Sequence, residues 1–200
     1  MRSEFESHVL SWFPKKEAQK IIEEIDWDTW LEKPGLPPIT ADFSTNEEFL
    51  ANKLADEYIL FNGQSSPTNY QDYFRWFANL KAIFNQKLLD RVDEISYPIM
   101  KQIDDDLSIS NEPNSEIIHL WYQTAIMSDY ITAPYKEIEK YLGTNGRMKF
   151  VIPIFRALNE KNRSEALRIF DIHESFYHPI CATQLRDVLD IKHPAPQVSM

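Results

Sequence analysis

Glycine, cysteine and positive charge are all scarce in this chain. Only four of its 200 residues are glycine, and no glycine-rich loop able to cradle phosphate is present. The single cysteine, Cys181, cannot form an internal disulfide. There is no apolar run long enough to span a bilayer and nothing with the layout of a signal peptide, so a cytoplasmic location with no membrane partner is expected. Lys and Arg number 21 against 31 Asp and Glu, a formal charge of -10. That balance disfavours nucleic acid, whose phosphate backbone calls for a clustered basic surface.

What remains is a globular composition: 43% hydrophobic and 13% aromatic residues, in a chain long enough to bury a substantial core. Helical punctuation recurs. Ser3 with Glu6, Ser44 with Glu47, and Thr45 with Glu48 all fit the capping box, each expected to open a helix. In NEEFLANKLADEYIL, the residues Phe49, Leu50, Leu54, Tyr58 and Ile59 recur at three- and four-residue spacing and predict one buried stripe. The pattern returns in NLKAIFNQKLLDRV, SEIIHLWYQTAIM, YKEIEKYL, KFVIPIFRAL and SEALRIFDIHESFY. No stretch alternates with period two over a useful length, and neither Asn-Gly dipeptide joins β-branched runs. The chain therefore reads as all-α. Short connectors imply antiparallel helix pairs, stacked so that one continuous core lies between two helix layers. No strict sequence repeat accompanies that arrangement.

Residues 31–43 break the pattern with Pro34, Gly35, Pro37 and Pro38, a composition that by itself reads as a linker. The tail KHPAPQVSM reads as frayed.

Four stretches could carry chemistry. HESFYH places His173 and His178 five residues apart with Glu174 between them. A zinc-peptidase helix needs its histidines at i and i+4, where both imidazoles share one face, so ordinary polar or capping histidines are expected. Cys181 follows Pro179 at an expected helix start and reads as packing. Asp104, Asp105 and Asp106 lack the glycine and spaced oxygens of a calcium loop, and a solvated helix end is expected. Finally, NGRMKF puts Arg147 and Lys149 in the first turn of a helix, where the positive end of the helix dipole disfavours cations. The same placement can build an anion receptor, since amides, guanidinium and ammonium converge there. Local physics leaves both readings open.

DWDTWLEKPGLPPI, residues 26–39, resembles the segment that opens the C-terminal domain of leukotriene A4 hydrolase and related zinc aminopeptidases of peptidase family M1. NSEIIHLW, NGRMKFVIPIF and HPICATQLRDVL match later stretches of that domain in the same order, whereas residues 60–110 match weakly. The resemblance implies an all-α fold, a two-layer right-handed α-α superhelix of the armadillo or HEAT kind. It also implies an organisation in which residues 1–25 end a preceding helical region, 26–43 form a proline-rich entry segment, 44–191 form the superhelix and 192–200 a flexible tail. In the hydrolase branch the Arg and Lys of the matching motif hold the substrate carboxylate. This implies the same role for Arg147 and Lys149, with Gly146 in support.

The family's zinc ligands belong to a preceding catalytic domain, and its His-Glu-x-x-His motif does not occur in these residues. The resemblance thus implies no cofactor in this chain, zinc in the missing catalytic domain, and that domain and a peptide carboxylate as partners. The 200 residues alone are expected to be inactive, with Met1 marking an excised domain rather than a natural start. The alternative is a stand-alone helical scaffold for protein partners, suggested by five Trp and nine Tyr. A metallohydrolase built on His173 and His178 is a remote third.

Overall fold

The computed structural model describes residues 2–36, 45–133 and 135–192, and every regular element among them is helical. These residues fall into two compact units, one within 1–43 and one within 44–200.

The first unit holds α1 (Arg2–Trp12), α2 (Lys15–Glu24) and α3 (Trp27–Leu31). Asp26 caps α3, accepting from Thr29 N at 3.1 Å and Thr29 Oγ1 at 2.6 Å. The Trp27 ring meets Phe5 edge-on at 5.6 Å, the Arg2 guanidinium lies 5.1 Å from its centroid, and its indole N–H reaches the Ile22 carbonyl. Among the described residues of this unit only Val9 and Ala18 are buried. The expected capping role of Ser3 fails: α1 already includes Arg2, so Ser3 sits inside the helix. Pro37, Pro38, Ser44 and the tail from His193 lie outside the described residues.

The second unit runs through α4 (Asn46–Phe61), α5 (Ala78–Asp90), α6 (Tyr97–Leu107), α7 (Ser115–Met127), α8 (Lys136–Leu142), α9 (Met148–Lys161), α10 (Arg163–His173) and α11 (Pro179–Val188). A 3₁₀ segment, Tyr70–Arg75, bridges α4 and α5. Helices α5, α7 and α9 pack in succession, and α10 and α11 both cover α9. Helix α4 packs against α5 and α6. The architecture is the all-α one expected above, with α5, α7 and α9 forming one row of packed helices.

Helix α7 occupies the centre. Ile117, Ile118, Trp121, Tyr122, Ala125 and Ile126 are all buried, so it is apolar nearly all round, as a helix enclosed by neighbours must be. Trp121 is fully buried and donates its indole N–H to Ser110 Oγ at 3.1 Å. Helix α9 continues through Pro153, which has no amide to offer the Lys149 carbonyl.

Thr45 does cap α4, with Glu48 N donating to its hydroxyl at 3.1 Å. The stripe on α4 is shifted from the expected one, however. Leu54, Tyr58 and Ile59 are buried, but Phe49 is 64% exposed and Leu50 is also at the surface; Ala51 and Ala55 take the inner positions. Small side chains there let neighbouring backbones approach closely, which larger ones would prevent.

The aspartate run differs too. Asp105 is exposed and pairs with Lys101 at 2.5 Å. Its neighbours turn inward: Asp104 accepts from Ser110 N, Ser110 Oγ and Tyr130 OH, and Asp106 from Tyr58 OH, Ser66 Oγ and Gln102 Nε2. Two of the three carboxylates are structural hubs because a helix points consecutive residues in different directions, and only one of these directions is solvent.

Candidate anion site where α7 and α9 begin

Asn114 caps α7, accepting from Glu116 N at 3.0 Å, and so brings the Glu116 carboxylate into the first turn. An anion is stabilised there by the helix dipole. Arg147 occupies the capping position of α9 with an extended backbone and no side-chain cap, and Lys149 follows one residue into the helix.

Both cations turn to the same group. Arg147 Nη1 lies 3.3 Å from Glu116 Oε1, and Lys149 Nζ donates to Glu116 Oε2. All three side chains remain substantially exposed, at 64% for Arg147, 54% for Lys149 and 40% for Glu116. Solvent screens pairs of this kind, so the contact places the groups more than it stabilises the fold. The Lys149 hydrogen bond, with the charges of Lys149 and Arg147, holds the Glu116 carboxyl below its usual range.

Phe150 forms the apolar floor. The Arg147 guanidinium carbon is 5.0 Å from its ring centroid and Lys149 Nζ 5.7 Å, both within reach of the ring quadrupole. The His119 ring packs against Phe150 with centroids 4.9 Å apart. Its Nδ1 lies 2.8 Å from the Ser115 carbonyl, which can only accept, so Nδ1 carries the proton of the neutral ring. Burial keeps the imidazole neutral by pushing its pKa down. Beside it opens a recess of about 260 Å³ lined by Ile83 and Gln86 of α5, Glu116 and His119 of α7, and Lys149 of α9.

Gly146 is not sterically required. A Cβ there would meet Phe176 at 3.6 Å, ordinary contact, and its φ lies outside the left-handed region. Gly143 is more constrained, since a Cβ there would fall 2.5 Å from His173 Cε1.

The other sequence candidates do not assemble. His173 ends α10, whereas His178 caps α11 by accepting from Ile180 N at Nδ1. Among the described residues no three His, Cys, Asp or Glu side chains group in a way that could hold a metal ion. Cys181 is fully buried, and burial raises its thiol pKa. No described helix is long and apolar enough to cross a membrane.

Glu116, His119 and Phe150 went unassigned in the sequence reading. Nothing local in the sequence links Glu116 to Arg147, thirty-one positions further on.

The fold defines a class, that of all-helical domains built from stacked, packed helices. Residues 76–189 match the family model "Leukotriene A4 hydrolase, C-terminal", and the chain belongs to that family. It is 33% identical over 195 residues to leucine aminopeptidase 2 of Pyricularia oryzae, covering 96% of this chain and 31% of the relative. It is 32% identical over 182 residues to leucine aminopeptidase 2 of Aspergillus niger, covering 89% and 29%. The structure of native yeast LTA4 hydrolase superposes with a TM-score of 0.78 at 27% identity, over 94% of this chain and 32% of that one. The chain therefore spans about three-tenths of the length of its curated relatives.

Proposed function

We propose that this chain is the helical C-terminal part of a cytoplasmic zinc aminopeptidase of the leukotriene A4 hydrolase kind. In this reading it covers one side of the active-site cleft, and Arg147 and Lys149 receive the substrate's carboxylate. The observation that supports the site is the convergence of both cations on one carboxylate, that of Glu116. Glu116 acts as an intramolecular stand-in: its two oxygens engage the two side chains as a peptide C-terminus would.

The contribution of this domain is positioning. Holding the far end of a substrate limits its poses and brings the reacting bond to the catalytic group. The zinc that activates water in such enzymes belongs to a catalytic domain preceding this one, which is the chain's expected partner. Among the described residues no three His, Cys, Asp or Glu side chains fit a zinc site, so no zinc ligand is assigned to this chain. Family membership supports this reading over a free-standing scaffold for protein partners.

The test is Arg147→Ala in the enzyme that contains the catalytic domain, assayed on paired peptides with free and amidated C-termini. Turnover of the free-carboxylate peptide should fall roughly tenfold or more, on the scale of a lost charge-assisted contact, with a smaller loss on the amide. Equal losses on both substrates would remove the carboxylate role.

A further inference from the structure

A second recess, sharing no lining residue with the first, opens where α6, α7 and the segment leading to α8 meet. It has a volume of about 340 Å³, and its walls are Tyr97, Ser110, Tyr122, Tyr130, Ile131 and Glu137. Three tyrosines and one carboxylate dominate it, and no Lys, Arg or His lines it among the described residues.

Three aromatic rings line the recess. Tyr97 and Tyr130 stand 5.3 Å apart, tilted 50° to each other, and Tyr122 is buried with its own edge-to-face partner, Tyr141, behind it. Two of the lining hydroxyls are already engaged. Tyr130 OH donates to Asp104 Oδ2 at 2.9 Å, and Ser110 Oγ donates to the same oxygen at 2.7 Å. A phenol that donates to a carboxylate has a more electron-rich ring face, which strengthens its attraction for a cation. Lys101, one turn along α6 from Tyr97, is held by Asp105. Glu137 is exposed at the edge of the recess and has no hydrogen-bond or ion-pair partner among the described residues. Burial and the Glu137 charge both raise the Tyr122 pKa, consistent with a carboxylate close to that ring.

Electron-rich faces, an unpaired carboxylate and Asp104 behind the wall leave a pocket that lacks only positive charge. We infer that the Tyr97–Tyr122–Tyr130 recess, with Glu137 at its rim, is a binding site for a small organic cation carrying an alkylammonium or trimethylammonium head. Aromatic walls suit such a head because it is poorly hydrated and demands no directional hydrogen bonds. The volume lies at the small end for ligand pockets, matching a headgroup more than an extended ligand.

The experiment is titration of the 200-residue chain with tetramethylammonium by calorimetry and ligand-observed NMR, with 3,3-dimethylbutanol, the neutral isostere of choline, as control. Saturable one-site binding of the cation is expected, with the neutral isostere roughly tenfold weaker or more. Glu137→Gln and Tyr97→Leu should each weaken the cation several-fold, whereas Tyr97→Phe retains most of the affinity; both positions are exposed, so the fold tolerates these changes. Choline and Nα-acetyl-trimethyllysine amide then separate the sources. Tighter choline assigns a free organic cation, and tighter trimethyllysine amide assigns a side chain on a peptide. Equal binding of cation and isostere, absence of saturable cation binding, or variants indistinguishable from the parent chain would overturn the inference.

Discussion

Arg147 Nη1 lies 3.3 Å from Glu116 Oε1, and Lys149 Nζ donates to the other oxygen of that carboxylate, joining the first turns of α9 and α7. Two cations thus share one anion at a place where each helix terminus adds partial positive charge. The carboxylate is partly exposed, so an incoming anion can compete for the same donors.

Glu116→Gln removes the competing charge and keeps the shape. An acetylated dipeptide with a free carboxylate should bind this variant more tightly than the parent chain, and Lys149→Ala in the same background should abolish the gain. Isothermal titration at low and moderate salt checks both, since an attraction of this kind weakens as ionic strength rises.

Asp104 and Asp105 are neighbours in sequence with opposite roles. Asp104→Ala strands Tyr130 OH and the Ser110 donors, and should cost about 2–4 kcal/mol of folding stability. Asp105→Ala breaks only an exposed pair with Lys101 and should barely move the urea midpoint. Denaturation of the two variants side by side measures the difference.

Gly143→Ala forces a methyl to within 2.5 Å of the His173 ring and should destabilise by about 1–3 kcal/mol, whereas Gly146→Ala should be near neutral. Truncating the ring relieves the clash, so the Gly143→Ala/His173→Ala pair should show strong positive coupling in a double-mutant cycle.

Acidification should weaken the fold through His119. Its folded pKa is depressed by burial below the ordinary 6.5, so the unfolded chain binds the proton more readily. Stability is therefore unaffected well above 6.5 and falls as pH drops from there towards the folded value. Glu116, also depressed, loses its contribution in a lower window, as pH falls from the ordinary 4.5 through its folded pKa. Chemical denaturation at pH 7.5, 6 and 5 should show the first decline, and His119→Gln should flatten it while leaving the second.

Much of the helical layout was legible because apolar spacing reports a buried face whatever that face touches. SEIIHLWYQTAIM coincides with α7 residue for residue, and the Thr45 cap is where the hydroxyl and glutamate placed it. Helices α2 and α6 showed only in outline, one within a stretch expected to be helical and the other by its acidic end: KKEAQKIIEE has few apolar residues, and YPIMKQIDDDL carries its signal beside a proline and an acidic run. Phe49 and Leu50 misled because hydrophobicity favours large residues, whereas the contact surface of α4 favours the alanines that let helices come close.

The sequence by itself determined that the chain is helical, acidic and without a metal-binding motif, and it singled out Arg147 and Lys149 as charges in an unfavourable place. These are properties of local spacing and composition, which the chain carries whatever its partners in space. Only the tertiary structure decided what the charges face. Packing of α7 against α9 brings Glu116 to both cations, and residues of α6, α7 and α8 far apart in sequence bring three tyrosines and Glu137 to one recess. Such groupings depend on which helix faces touch, and that choice is made by the whole core at once.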